Sequence, residues 1–132
     1  MNTGISPEYV EFVAGEDFRI GSIAPHYLLR PEAVESFYIL NFLTGDPIYR
    51  EWGWEIFQSI EKYCKGKVGY GSISNVQNTK ATPRDEMESF FFAETLKYLY
   101  LLFDPDSEID ILGKHVFNTE AHPTRIFTVM DD

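Results

Sequence analysis

An all-α fold with short β-hairpin segments is what this sequence predicts, on three observations. Two stretches, residues 31–43 and 47–63, place apolar side chains at steps of three and four, the period of an α-helix with one buried face. The break between them is too short for anything but a tight turn, so they should pair as an antiparallel helical hairpin. A third stretch, 85–103, is apolar nearly all round from Phe90 onward, as expected of a helix enclosed by protein. With 132 residues, 44% apolar and 16% aromatic, the chain is long and greasy enough for one core.

Residues 1–29 are rich in Gly, Pro and Ser, show no sustained period and read as an irregular, packed lead-in. Within it, Ser6 to Val10 is expected to open a short helical turn and Phe18-Arg19-Ile20 a short strand. The first helix then starts at Leu28-Leu29-Arg30-Pro31-Glu32-Ala33-Val34-Glu35. Pro31 suits the first helical position, where a missing N–H is no loss. Glu32 and Glu35, three residues apart, look roughly the same way. They either complement the helix dipole or, with Arg30 beside them, stay ionised as a general base or ligand-holding group must.

Thr44-Gly45 stops this helix, and Asp46-Pro47 restarts a second as N-cap and first turn. Ile48, Tyr49, Trp52, Ile56, Phe57, Ile60 and Tyr63 form its apolar face. Trp52 and Trp54 lie on different faces, so at least one should pack in an outer layer, while Glu55 and Glu61 read as solvated. Residues 65–84 form a long polar connection with strand-like alternation around Tyr70 to Val76, too rich in Gly and Asn for a framework element. Gly69-Tyr70-Gly71 lacks the third glycine and following helix of a phosphate-binding fingerprint. In the third helix Glu94 falls within the apolar stretch, where a carboxylate is costly unless paired or hydrated. It is either in an ion pair with Lys97 or Arg84, or facing a wet central cavity. Asp104-Pro105-Asp106 ends that helix, Ile109 to Phe117 allows a short strand, and the residues beyond Pro123 look peripheral.

Twenty-one acidic against eleven basic residues leave a net charge of −10, which opposes nucleic acid and anionic membranes and suits a hard cation. The abundant aromatics serve a core, or stack on sugar faces beside carboxylates. Cys64 is single and expected as a buried thiol; His26, His115 and His122 share no ligand spacing and read as surface or capping residues. No run of 18 apolar residues and no leader-like N-terminus is present, so membrane association is expected only through an N-terminal anchor that this chain does not contain.

Five motifs then stand in order: Leu28-Leu29-Arg30-Pro31-Glu32, Glu51-Trp52-Gly53-Trp54-Glu55-Ile56-Phe57, Glu88-Ser89-Phe90-Phe91, Glu94-Thr95-Leu96-Lys97-Tyr98 and Phe117-Asn118-Thr119-Glu120-Ala121-His122-Pro123. Together they closely resemble glycoside hydrolase family 47, the class I α-1,2-mannosidases that trim N-linked glycans in the endoplasmic reticulum and Golgi. The resemblance runs from about Gly4 to Pro123. It implies part of an (α/α)₇ barrel and calcium-dependent, inverting cleavage of terminal α-1,2-linked mannose from high-mannose N-glycans in the secretory pathway. By matching motif, Glu32 resembles the general base. Arg30, Phe90, Glu94 and Glu120 resemble sugar-binding groups. Thr119 resembles the direct Ca²⁺ ligand, with Glu35, Glu94 and Glu120 holding the metal's water; residues 116–123 would form that calcium-site segment.

The resemblance also implies that residues 1–132 are the C-terminal portion of one catalytic domain, with the general acid and the remainder of the barrel upstream. The isolated chain is then expected to be inactive. Two alternatives are a lectin-like glycoprotein quality-control relative and an inactive truncated fragment; the Glu-Trp-Gly-Trp run and Asn118 favour the processing-enzyme branch over the former.

Overall fold

The computed structural model describes residues 1–127 of the chain. It contains α1 (Glu32–Thr44), α2 (Ile48–Tyr63), a π-helical segment (Phe91–Leu96) that runs directly into α3 (Lys97–Phe103), and three two-stranded antiparallel ribbons. The ribbons are β1 (Val10–Glu11) with β2 (Arg19–Ile20), β3 (Lys65–Gly66) with β4 (Gly69–Tyr70), and β5 (His115–Phe117) with β6 (Pro123–Arg125). Among the described residues no helix is long and apolar enough to cross a membrane. Methionine 130 and its neighbours at 128–132, within the tail read as peripheral, lie outside the described residues.

Local chemistry explains the α1–α2 hairpin. Gly45 takes the left-handed conformation, φ 70°, and its N–H donates to the Asn41 carbonyl at 2.8 Å, closing α1. Asp46 Oδ1 then accepts the Ile48 N–H at 2.9 Å and caps α2. Gly53 brings α2 close to α3, since a Cβ there would meet Leu102 Cδ2 at 2.4 Å. The tryptophans on either side of it are both half-exposed: Trp52 lies against Phe37 and Tyr49, Trp54 against Phe57 and Phe103.

Two apolar clusters hold the molecule. One joins α1 to α3 through Val34, Tyr38, Tyr98, Leu99 and Leu102, with Ile56 and Phe57 of α2 packed against it and Ala121 in the same cluster. The other lies under α2 and draws in Ile5, Tyr27, Leu29, Ile73, Val76 and Phe91. The lead-in and the 65–84 connection thus supply core, contrary to the expectation that the connection is no framework element. Tyr27 and Ile73 bridge as antiparallel partners, and Thr3 donates both its N–H and its hydroxyl to the Val76 carbonyl. The glycines that argued against a framework role here permit close approach: a Cβ on Gly71 would sit 1.9 Å from the Arg84 carbonyl oxygen.

Other expectations are corrected. Ser6 to Val10 makes no helical turn, because Glu8 N–H pairs with the His26 carbonyl and Val10 enters β1. The third helix begins at Ser89, not 85: Arg84 N–H is committed to the Ser72 carbonyl at 2.9 Å, which ties the 82–88 run to the connection. That helix is also less enclosed than its composition suggests, with Phe92 57% and Tyr100 67% exposed. Glu61 is not merely solvated, since it accepts hydrogen bonds from Lys65 and Tyr70.

Candidate active site

Three chain segments bring the charged residues together. The first is the turn into α1. Leu29, a non-glycine residue wholly buried, is held at φ 63°, a conformation that costs about 1–3 kcal/mol and clusters at functional sites. Next to it, Arg30 Nε donates to Glu8 Oε2 at 2.5 Å, and the guanidinium lies 5.7 Å from the centre of the Phe90 ring. Glu8 also accepts the Leu28 N–H at 3.0 Å, so one carboxylate fixes both the backbone and the arginine. The hydrogen bond from Arg30 to Glu8 is the main cause that holds the guanidinium's pKa above its ordinary value.

The second segment is the π-helical turn. Phe90 precedes it and Glu94 lies in it. Burial first, then the charges of Glu120, Glu32 and Glu35, raise the Glu94 carboxyl above the usual carboxylate range, with Lys97 opposing them. Lys97 does not form the expected ion pair with Glu94; its ammonium donates to the Ala121 carbonyl at 2.7 Å, and Arg84 is not in a salt bridge among the described residues either. Tyr98 donates to Glu35 Oε1 at 3.3 Å, and burial together with that carboxylate pushes its phenol well above the ordinary range.

The third segment is the turn between β5 and β6. Asn118 Oδ1 accepts the N–H groups of Glu120 and His122 at 3.0 and 2.9 Å, which folds Thr119 and Glu120 outward into an exposed loop. Ala121 beyond them is buried and again left-handed, φ 53°.

Glu32, Glu35 and Glu120 thus each act on Glu94, and the Arg30 guanidinium lies against the Phe90 ring. An open cleft of about 400 Å³ is lined by Glu8, Tyr27, Arg30 and Glu32, so the water or hydroxyl that a base would need can reach Glu32. A larger depression of about 640 Å³, between the β3–β4 ribbon and residues 82–87, contains none of these groups. Among the described residues no three His, Cys, Asp or Glu side chains are grouped to bind a metal directly. The oxygen donors a hard cation would need are the exposed Thr119, on the asparagine-framed turn, and the carboxylates of Glu32, Glu35, Glu94 and Glu120. The histidines contribute no cluster; His115 Nδ1 accepts the Asp110 N–H. Cys64 is fully buried, and burial pushes its thiol up to about 12, so it is a core group.

Sequence reading did not find Glu8, Thr95 or the role of Lys97. Glu8 is 22 residues from Arg30 in a segment with no period, and Thr95, whose hydroxyl donates to the Leu29 carbonyl at 2.6 Å, is 66 residues from its partner. The one available signal was an acid following Ser6-Pro7 in an otherwise irregular stretch.

Comparison with known proteins gives the family. The family model described as Glycosyl hydrolase family 47 matches residues 1–126. The mouse (Mus musculus) endoplasmic reticulum mannosyl-oligosaccharide 1,2-alpha-mannosidase is 52% identical over 96% of this chain and 20% of its own length. The Arabidopsis thaliana mannosyl-oligosaccharide 1,2-alpha-mannosidase MNS1 is 50% identical over 94% of this chain and 21% of its own length. Among solved structures, the alpha-1,2-mannosidase from Trichoderma reesei superposes with a TM-score of 0.77 at 42% identity, covering 84% of this chain and 24% of that one. The chain thus spans about a fifth of the length of these curated relatives. With one family model matching almost every described residue and half of all positions shared with two of its enzymes, the chain belongs to glycosyl hydrolase family 47.

Proposed function

We propose that this chain is a segment of a calcium-dependent, inverting α-1,2-mannosidase, acting on the terminal mannose of high-mannose N-glycans in the endoplasmic reticulum or Golgi. The observation that carries the reading is that the part-buried Glu94 carboxyl feels the charges of Glu32 and Glu35 from α1 and of Glu120 from the β5–β6 turn, while Arg30 is held by Glu8 against the Phe90 ring. Two curated relatives are named as mannosyl-oligosaccharide 1,2-alpha-mannosidases, which supports the substrate class. The remainder of a longer protein would complete an (α/α)₇ barrel around the helices described above.

Glu32 is the general base. It lines an open cleft, sits in the first turn of α1 where the helix dipole favours its ionised form, and has Arg30 two residues before it. Its task is to take a proton from water attacking the anomeric carbon. Phe90 offers an aromatic face to the C–H surface of a pyranose, and Arg30, fixed by Glu8 over that ring, can hold a sugar hydroxyl without moving. Glu94 and Glu120 accept from the remaining hydroxyls. Thr119 would hold calcium directly and Glu35, Glu94 and Glu120 would hold it through water; when bound, the ion supplies a hard positive charge that orders hydroxyls and offsets the acids.

Inversion needs a second carboxyl group as acid, roughly 6.5–9.5 Å from the base. That acid is assigned to the rest of the longer protein, so the chain by itself releases no mannose. The test is a chimera in which this chain replaces its matched segment in the Trichoderma reesei enzyme. It should release mannose from an α-1,2-linked mannobiose, and Glu32→Gln in it should slow release by about 10²–10⁴-fold. A chimera whose Glu32→Gln form is equally fast contradicts the role of Glu32, and one that binds the disaccharide without cleaving it supports the lectin-like reading.

A further inference from the structure

Two non-glycine residues among those described have positive φ, Leu29 at 63° and Ala121 at 53°. Both are fully buried, and each directly adjoins a site residue: Leu29 precedes Arg30 and Ala121 follows Glu120. Neither turn is near the other in sequence, yet the carbonyls of both are held by side chains two positions apart on one helix. Thr95, itself wholly buried, donates its hydroxyl to Leu29 O at 2.6 Å, and Lys97 donates its ammonium to Ala121 O at 2.7 Å. The helix is π-wound up to Leu96, where the wider turn changes which directions successive side chains take, and such turns recur at functional sites.

We propose that Thr95 and Lys97 are positioning residues that clamp these two strained turns to one rigid helix, and so set the separation between the Glu32 segment and the Thr119–Glu120 segment. A left-handed Leu or Ala is unfavourable and persists only where the surroundings over-determine it. A short hydrogen bond to each strained residue's own carbonyl, one of them charge-assisted, does that. Glu94 lies beside Thr95 in the π-helical turn that runs directly into Lys97, so the continuous helix fixes a third wall of the site with respect to the other two. The inference rests on the mannosidase reading for what the clamp serves, but not for whether the clamp exists.

The test replaces Lys97 by Met, which keeps the stem and removes the ammonium, and adds glycine at Ala121, which adopts positive φ without cost. The backbone angle at residue 121 is read from NMR scalar and dipolar couplings in the metal-free chain, and CaCl₂ affinity by calorimetry. Lys97→Met should release Ala121 from the left-handed region and weaken CaCl₂ binding about tenfold, as loss of an outer supporting contact does at metal sites. Adding Ala121→Gly should recover most of that affinity, which no general loss of packing would allow. In parallel Thr95→Val should free Leu29 while Thr95→Ser holds it, and this pair decides the matter should Lys97→Met not fold. Retention of positive φ at residue 121 in Lys97→Met, or at residue 29 in Thr95→Val, overturns the proposal. If the unaltered chain binds no CaCl₂, the calcium reading fails and the backbone angles still judge the clamp.

Discussion

The α1–α2 hairpin and the π-wound helix that leans on it are built to opposite standards. In the hairpin each local device agrees with the fold: a glycine in the left-handed position at Gly45, an aspartate cap at Asp46 and a small residue, Gly53, where α3 must come close. In the other region almost every device is costly. The helix is wound wider than an α-helix, two buried non-glycine residues are left-handed, and Glu94 lies under the charges of three other carboxylates while the Lys97 ammonium donates to a carbonyl. Consistency across levels marks the part that specifies the fold, and violation marks the part that does chemistry.

Disturbing the framework outside the acids, the hairpin and the 65–84 connection packed beneath it, should cost stability and little else. The largest effect is expected at Gly71, where a methyl group would run into the Arg84 backbone, an obstacle that no side-chain rotation removes. Gly71→Ala should lower unfolding free energy by about 3 kcal/mol, seen as a shifted midpoint in urea. Its effect is on the connection that carries Ile73 and Val76 into the core, not on the acids.

Disturbing the violating half should do the reverse. Glu94→Gln removes a charge that Glu120, Glu32 and Glu35 oppose, so in metal-free melts at neutral pH it should stabilise the chain by about 0.5 kcal/mol while reducing activity of the chimera. The sign follows from linkage. The folded state raises this carboxyl, so the stability tied to its proton is present below the ordinary carboxylate range and lost as pH rises through the folded value. The advantage of Glu94→Gln should therefore vanish in acid. A Glu94→Gln chain that melts lower at neutral pH would remove the contrast between the two regions.

The same division decides what could be read in the sequence. The hairpin was legible because its signals are local: residues 31–43 and 47–63 as read from spacing correspond to Glu32–Thr44 and Ile48–Tyr63. The start of the third helix was misplaced because Arg84 is claimed by Ser72, a partner twelve residues away that no local pattern announces. The packing of the lead-in depends on Tyr27 meeting Ile73, which is likewise invisible to periodicity. At the site, residue types and motif order are what proposed Arg30, Glu32, Glu35, Phe90, Glu94, Thr119 and Glu120. The left-handed turns at Leu29 and Ala121 could not be seen, because the usual warning of positive φ is a glycine and neither position has one. Thr95 reads only as a member of the Glu94-to-Tyr98 motif and Lys97 as an ion-pair partner of Glu94, since apolar spacing does not separate a π-turn from an α-turn.

The central claim, that acids from separate segments converge around a hard cation anchored by Thr119, is tested most directly by titrating CaCl₂ into the metal-free chain in a calorimeter, beside Thr119→Val. The account predicts one binding event in the unaltered chain and its loss, or a weakening of about tenfold or more, in Thr119→Val. Equal binding by the two, or no binding by either, would contradict it.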